Sequence, residues 1–406
     1  MHTTAKPSIP VSVYVLALGI FAMINCELQV LGMMPQMARD LEITISQVGY
    51  LVSIYAAAMA LGGPLLTLGL GSQPPKKTFY LLFALFVIGE ILGALAQGYP
   101  MLIVSRLITG AVSGAFFGTA LGTCHRLVAP ELGIRAVAIV LAGIMVGTIL
   151  GLPLASLVGE YYGWRASFWF VVALAVLAAL GTAALLPALP AAAKIGLRQE
   201  LAAFRNRQLW SVFATSFCVI GATYAAFSYF VPILTQLTGL AHNSVTWLLF
   251  AYGITMLIGN HIVARLAGPR NLRILATGMV LHSLFLVLLA LQTHQSWAAV
   301  IAVLGLGLTG ISMNPAMVSR VMQVPNGERP LVNTVHASVI TLGIMFGSYA
   351  SGQVLEWGYS LHSPMWVGIA IAMTGLLTLL LDRARPETPA ASEPLRAGAA
   401  TPSTHP

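Results

Sequence analysis

The stretch that decides the fold is residues 143–165, GIMVGTILGLPLASLVGEYYGWR. Small residues recur there at every fourth position: Gly143, Gly147, Gly151, Ala155 and Gly159. Because a four-residue step drifts only slightly around an α-helix, these residues form one stripe along the helix. Pro153 lies inside the stretch, removes a backbone donor and bends the helix. The pattern predicts an apolar helix that packs closely against a neighbouring helix.

Part of this stretch recurs later in the chain. Residues 143–147 read GIMVG, and residues 343–347 read GIMFG. A seven-residue Tyr–Gly spacing also occurs twice, at an offset of 197, in Tyr55 with Gly62 and Tyr252 with Gly259. Two matches at nearly one offset predict two homologous halves, because the period is far longer than that of a solenoid repeat.

The composition is that of a membrane protein. Of the 406 residues, 58% are hydrophobic and only 8% are charged, whereas about 25% of a typical soluble domain is charged. Twelve apolar segments between residues 11 and 381 approach the roughly 20 residues that span a bilayer. The sequence therefore predicts an all-α polytopic membrane protein with twelve transmembrane helices.

The basic residues predict the orientation of these helices. With the N-terminus in the cytoplasm, all of the 20 Lys and Arg residues fall on the cytoplasmic side except Arg39, Arg106 and Arg165. This asymmetry is typical of the positive-inside rule and places both termini in the cytoplasm. The predicted organisation is a cytoplasmic N-terminus (1–10), a six-helix bundle (11–186), a cytoplasmic linker (187–208), a second six-helix bundle (209–382) and a disordered cytoplasmic tail (383–406).

Three ionisable residues lie well inside predicted spans, and such residues are functional candidates because their burial in lipid is costly. Glu27 and Arg106 both lie roughly 8–10 Å below the outer surface at about 1.5 Å per residue. They would pair if their helices are neighbours. The functional hypothesis is that Glu27 exchanges a proton and Arg106 tunes it, and the structural alternative is a static ion pair. Glu90 is expected toward the lipid, where a functional role is the less favoured reading.

Uncharged polar residues within the spans are candidates for a substrate cavity. They are Asn25, Tyr224, Tyr229, Asn314 and His336. The alternative for each is a satisfied contact between helices. The sequence has no Gly-rich phosphate loop, HExxH or CxxC motif. We therefore expect no enzyme activity, no cofactor and no metal site.

Over residues 11–382, the sequence resembles the major facilitator superfamily. Gly143, Gly147, Gly151 and Pro153 are similar to the fifth-span antiporter motif, although Leu152 interrupts its direct Gly-Pro. Residues 105–107, Ser-Arg-Leu, with Gly110 resemble the fourth-span motif whose arginine is linked to proton coupling. The resemblance implies two six-helix bundles around a cavity lined by spans one, four, seven and ten. It also implies drug:proton antiport.

A narrower resemblance is to bacterial chloramphenicol-resistance and arabinose-efflux permeases. It rests on residues 27–35 (ELQVLGMMP), 49–56 (GYLVSIYA) and 163–165 (GWR). The loop after span two departs from the superfamily pattern, because Gln73 lies about where an Asp is usual. The loop therefore keeps its basic end, Lys76 and Lys77, and lacks the carboxylate that the superfamily pattern has at the inward gate.

Together these features predict a proton-coupled secondary transporter that exports a small neutral or amphipathic organic compound, such as a phenicol, by alternating access. Its expected partners are the substrate, protons and the lipid bilayer, without nucleic acid. We expect a monomer in the bacterial cytoplasmic (inner) membrane. A sugar or metabolite transporter of the same fold is the alternative. A receptor or assembly factor that transports nothing is more distant, and a membrane enzyme more distant still.

Overall fold

The computed structural model describes residues 9–191, 202–267, 270–325 and 330–383. Twelve helices in these ranges are long and apolar enough to cross a membrane, and the same ranges contain no β-strand. They are α1 (Val11–Asp40), α2 (Ile45–Leu70), α3 (Pro75–Ala94), α4 (Tyr99–Arg126), α5 (Gly133–Tyr162), α6 (Trp164–Leu185), α7 (Arg207–Phe227), α8 (His242–Leu266), α9 (Asn271–Leu291), α10 (Ser296–Thr309, continued by Asn314–Met322), α11 (Pro330–Glu356) and α12 (Ser363–Arg383). The prediction of an all-α protein with twelve spans is confirmed.

Two of the helices are irregular. After α7 the chain continues through a short helical turn, Phe230–Pro232, into a π-helix, Ile233–Leu237. A 3-10 turn, Ile311–Met313, separates the two pieces of α10. Pro315 follows at the start of the second piece, where its missing backbone donor is tolerated. Such breaks are frequent at positions where helices move or bind ligands.

The helices pack as two similar bundles. In the first, α1 packs against α5 and α6, α2 against α4, and α3 against α4 and α6. In the second, α7 packs against α11 and α12, α8 against α10, and α9 against α10 and α12. Each pair in the first bundle therefore has its counterpart six helices later. This is the arrangement expected of two repeated halves.

The glycine stripe of α5 packs against α1. A Cβ atom built on Gly143 would meet the carbonyl oxygen of Ala17, and one built on Gly147 would lie 2.8 Å from the Cβ of Ile24. A Cβ on Gly151 would lie 3.2 Å from Leu28. Any larger side chain on this stripe would push the helices apart, so the predicted close packing is confirmed and its partner is α1.

The repeated sequence in α11 packs in the corresponding way against α7. Cβ atoms built on Gly343 and Gly347 would meet the backbone of Phe217 and Gly221. The α2–α4 and α8–α10 contacts also correspond. A Cβ on Gly110 would meet the carbonyl oxygen of Tyr55, and a Cβ on Gly307 would meet that of Tyr252 at 2.8 Å; the two contacts are 197 positions apart.

The two bundles meet along two seams, α2 with α11 and α5 with α8. In the first seam, Ser348 donates a hydrogen bond to the carbonyl oxygen of Gly49 (3.1 Å), and Gln353 donates one to the Tyr50 hydroxyl (2.6 Å). In the second, the hydroxyls of Ser156 and Thr246 lie 2.9 Å apart. These contacts lie near the start of α2 and α8 and toward the end of α5 and α11. They therefore join the bundles at the end of the molecule away from the chain termini.

Three of the predicted segments extend outside the described residues. Of the linker predicted at 187–208, residues 192–201 lie outside the range that the structure describes. The same holds for residues 1–8 of the predicted N-terminal segment and for nearly all of the tail predicted at 383–406.

Candidate functional site

A hydrogen bond joins the two bundles at mid-depth. The Tyr224 hydroxyl on α7 donates to Oε1 of Glu27 on α1 at 3.3 Å. These residues are 197 positions apart, the offset that also separates Pro35 from Pro232 and Tyr55 from Tyr252. Corresponding positions of two repeats contact each other only near the axis that relates the repeats. Glu27 and Tyr224 therefore lie close to the pseudo-twofold axis of the molecule.

Arg106 forms its ion pair within the first bundle. Its NH2 atom lies 3.4 Å from Oε1 of Glu90, and the two side chains are 1% and 0% exposed. Gln29 donates to Oε2 of Glu90 at 3.1 Å, and the Cys26 thiol donates to Oε1 at 3.0 Å. Glu90 is therefore the centre of a buried polar cluster contributed by α1, α3 and α4.

The pairing of Glu27 with Arg106 expected from their matching depth is wrong. Arg106 reaches α1 at the same level, but it donates from NH1 to the carbonyl oxygen of Cys26 at 2.9 Å. Successive side chains on an α-helix point about 100° apart. Cys26 therefore faces Arg106 and Glu90, while Glu27, one residue on, points to the other bundle and Tyr224.

The expectation that Glu90 lies toward the lipid is also wrong. Helix α3 packs against both α4 and α6, and Glu90 lies on the packed face. The Arg106 guanidinium carbon there lies 5.0 Å from the ring centre of Phe168 and 5.8 Å from that of Tyr55. These rings provide cation–π contacts to the guanidinium.

The buried cluster is incompletely paired. Among the described residues, Nε of Arg106 and Oε1 of Gln29 have no hydrogen-bond partner. The single contact between Arg106 and Glu90 also lacks the two parallel hydrogen bonds of a strong Arg–carboxylate pair. Arg106 thus keeps donor capacity beyond its contact with Glu90.

An aromatic cluster surrounds Tyr224 on the side of the second bundle. The ring centres of Tyr224 and Phe227 lie 5.2 Å apart, and Phe227 stacks on Tyr252 at 5.2 Å. The Tyr252 hydroxyl is buried and has no hydrogen-bond partner within the described part of the chain. Sequence reasoning used Tyr252 only as a marker of the repeat. Its place beside Tyr224 depends on how α7 and α8 pack, which a single sequence does not show.

The other cavity candidates lie apart from the Glu27–Tyr224 contact. Tyr229 is buried beside Gly49 in the α2–α11 seam and donates to the carbonyl oxygen of Ser348 at 3.2 Å. His336 shares a 2.8 Å hydrogen bond with Ser216 between α7 and α11. Neither of these residues contacts Glu27 or Tyr224 through a hydrogen bond in the described part of the chain.

Asn25 and Asn314 also differ in their surroundings. Asn25 is buried and donates to the carbonyl oxygen of Phe21 in its own helix at 2.8 Å. Its side-chain oxygen faces Gly151 of α5. Asn314 is exposed at the start of the second piece of α10. Asn25 therefore takes part in the contact between α1 and α5. This agrees with the alternative stated for each cavity candidate, a satisfied contact between helices.

A cavity of about 690 Å³ lies at the seam end of the molecule. Its lining comes from both bundles and includes Pro35, Arg39, Glu160, Gln236 and His242. No group of three or more His, Cys, Asp or Glu residues in the described ranges is placed to hold a metal ion.

Comparison with known proteins decides the family. The family model of the Major Facilitator Superfamily matches residues 13–323, and a second match covers residues 228–404. The chain belongs to the Major Facilitator Superfamily. The resemblance seen in the sequence is thus confirmed, and the twelve helices in two six-helix bundles are those of a major facilitator protein.

Relatives of this major facilitator protein cover nearly its whole length. It is 30% identical to the inner membrane transport protein YdhP of Escherichia coli (strain K12) over 92% of this chain and 96% of the relative. It is 28% identical to a chloramphenicol resistance protein of Streptomyces lividans over 91% and 95%. Both the family and the named relatives indicate a multi-pass membrane transporter rather than an enzyme.

A solved structure supports the fold of this major facilitator protein. The peptide transporter POT, crystallised with alafosfalin, superposes with a TM-score of 0.73 over 92% of this chain and 93% of that chain. At 13% sequence identity, this likeness concerns the fold alone.

Proposed function

We propose that this protein is a proton-coupled exporter of a small neutral or amphipathic organic compound. The observation that carries the proposal is the hydrogen bond between Glu27 and Tyr224. It involves an ionisable group in the middle of an apolar helix, close to the axis where the two bundles meet. Ionisable residues inside transporter bundles characteristically mark ion and proton pathways.

The proposed cycle is alternating access between the two bundles. The seam contacts Ser348–Gly49 and Gln353–Tyr50 hold one end closed. When the bundles rock apart at this end, the contact between Glu27 and Tyr224 is strained or broken, because each residue belongs to a different bundle. Proton binding at Glu27 and substrate binding between the bundles are thus linked through one contact.

The glycine stripe of α5 makes α1 and α5 a rigid pair that moves together when the bundles rock. It fixes α1, which carries Glu27, to α5 at backbone distance. Gly143, Gly147, Gly151 and Pro153 therefore keep α1 and α5 moving together as the bundles rock. In a protein that exchanges protons for substrate, such packing also limits leakage between conformations.

The proton gradient supplies the free energy for export. Each proton that enters contributes about 2.3 kcal/mol per 100 mV of membrane potential, in addition to the pH gradient. With both termini in the cytoplasm, the α2–α11 and α5–α8 seams close the outer side. The structure then corresponds to a state that receives substrate from the cytoplasm.

The residues near the axis favour an uncharged or amphipathic substrate. Tyr224, Phe227 and Tyr252 offer aromatic faces and hydroxyl groups, and Glu27 is the nearby charge-bearing group. A relative is named for chloramphenicol resistance, so phenicols are suitable first compounds. We place the exporter, as a monomer, in the bacterial inner membrane.

The proposal is tested in proteoliposomes that contain the wild type or Glu27→Gln. A pH-sensitive dye inside the vesicles records proton movement while phenicols, cationic dyes and pentoses are added in turn. We expect at least one compound to drive proton movement in the wild type and none to do so in Glu27→Gln. Compound transport that is independent of pH and unchanged in Glu27→Gln would refute proton coupling. A response to pentoses alone would favour the sugar transporter instead.

A further inference from the structure

Two acidic side chains and one basic side chain lie at a similar level of the first bundle: Glu27, Glu90 and Arg106. Arg106 pairs with Glu90, and it also binds the backbone of Cys26, the residue next to Glu27. With both carboxylates ionised, this set carries one net negative charge. One bound proton makes it neutral, and the position of Arg106 decides which carboxylate lacks a cation.

The fold itself does not require the ion pair. Val303 lies 197 positions after Arg106, and Leu286 and Val287 lie 196 and 197 positions after Glu90. Val303 and Leu286 are both fully buried in the second bundle, where α9 packs against α10 as α3 packs against α4. Aliphatic side chains therefore occupy the corresponding buried positions of the second bundle. Replacing a buried ion pair by apolar residues is often neutral or stabilising, so retention of the pair indicates a role beyond packing.

The contacts of Arg106 show what that role is. Its NH2 atom reaches Glu90 at 3.4 Å, while NH1 already lies 2.9 Å from the Cys26 carbonyl oxygen on α1. Nε has no partner among the described residues. Its contacts with Glu90 and Cys26 thus hold Arg106 on the side of α1 that faces away from Glu27.

We propose that Glu90 is a positioning residue for proton exchange, which holds the Arg106 guanidinium away from Glu27. The Glu27 carboxylate near the pseudo-twofold axis then has no paired cation, and it exchanges its proton there. When Glu90 is neutral, Arg106 turns to Glu27 and retains it in the ionised form. This inference rests on the proposed proton coupling at Glu27.

Few other titratable groups face these carboxylates. From the packed helices they are Cys26 of α1, Tyr55 of α2, Arg106 of α4, Tyr224 of α7 and, beyond Tyr224, Tyr252 of α8. Arg106 is the one cation in this set. A substitution at Glu90 therefore acts on the titration of Glu27 in two ways, through loss of the Glu90 charge itself and through the freed Arg106.

The test is an infrared titration of the purified, full-length protein in detergent. The carboxylic acid band of Glu27 is assigned by its loss in Glu27→Gln. In Glu90→Gln, Arg106 turns to Glu27, and we expect the midpoint of this band to move at least about one pH unit toward acid. The matched control is the double variant Glu90→Leu/Arg106→Val, which copies the second bundle. There the midpoint should return to within a few tenths of a unit of the wild type.

A second measurement does not depend on the infrared band. The thermal unfolding midpoints of Glu27→Gln, Glu90→Gln and their combination form a double-mutant cycle. We expect the combination to lose more than the sum of the single losses, because Arg106 then has neither carboxylate. Additive losses, an unmoved infrared midpoint or failure of Glu90→Gln to fold would each overturn the proposal. Neither measurement uses transport, so loss of proton flux in vesicles would refute the proposed function separately.

Discussion

Substitution of Gly147 by Ala tests the contact between α5 and α1. The added Cβ would lie 2.8 Å from the Cβ and Cγ2 atoms of Ile24, about 0.6 Å closer than the 3.4 Å of an ordinary contact. The Cβ of Ile24 is attached to the backbone and cannot rotate away. The two helices must therefore separate by a few tenths of an ångström or more.

Overpacking of this kind costs about 1–3 kcal/mol. Against this, Ala favours a helix over Gly by about 1 kcal/mol. The net loss for Gly147→Ala is therefore about 0–2 kcal/mol. Gly122→Ala is the matched control, because no atom lies within 4 Å of a Cβ built on Gly122. It carries the same gain in helix propensity without the clash.

The assay is thermal unfolding of both variants in the same detergent, followed by tryptophan fluorescence. The difference between the variants isolates the overpacking term of about 1–3 kcal/mol. At roughly 2–4 °C per kcal/mol, Gly147→Ala should unfold about 2–12 °C below Gly122→Ala. Equal midpoints, or a higher midpoint for Gly147→Ala, would refute the close α1–α5 contact.

Two further predictions concern contacts between the bundles. Tyr224→Phe removes the hydrogen bond to Glu27, worth about 1.5–3 kcal/mol when the acceptor is charged, so substrate-driven proton flux in vesicles should fall at least about tenfold; unchanged flux would show that the contact is incidental. Tyr50→Phe removes the 2.6 Å hydrogen bond from Gln353, so the seam should open more often, and the backbone amides of residues 346–356 should be labelled with deuterium several-fold faster than in the wild type. An unchanged labelling rate would show that this bond does not hold the seam closed.

The number and length of the spans could be predicted because they depend on local composition. Twelve apolar segments of about the right length were visible without any knowledge of packing. The glycine stripe also predicted close packing against another helix, because small residues at every fourth position permit a second backbone to approach. The identity of that partner, α1, came only from the structure.

The site was less predictable, because depth and direction are separate properties of a helical residue. Depth follows from counting residues at a fixed rise, so Glu27 and Arg106 were correctly placed at a similar level. Direction depends on how each helix is rotated against its neighbours. Cys26 and Glu27 differ by one residue and about 100°, and this decided which of them faces Arg106.

The burial of Glu90 was also not predictable, because it depends on the rotation of α3 against its neighbours. A single carboxylate in a uniformly apolar span has no sequence pattern to indicate which face is buried. Its partners, Arg106, Gln29 and Cys26, come from two other helices. Tyr252 was likewise visible as part of the repeat, but its place in the aromatic cluster with Phe227 and Tyr224 depends on tertiary packing.

The central claim is that Glu27 exchanges its proton against substrate, and proton release on binding tests it most directly. A transported compound is titrated into purified protein in a weakly buffered detergent solution that contains a pH-indicator dye. The pH is set near the infrared titration midpoint of the Glu27 carboxyl group. The account predicts release of up to about one proton per bound substrate in the wild type, and none in Glu27→Gln at saturating substrate. Saturable binding to the wild type without proton release, or equal release from Glu27→Gln, would contradict it.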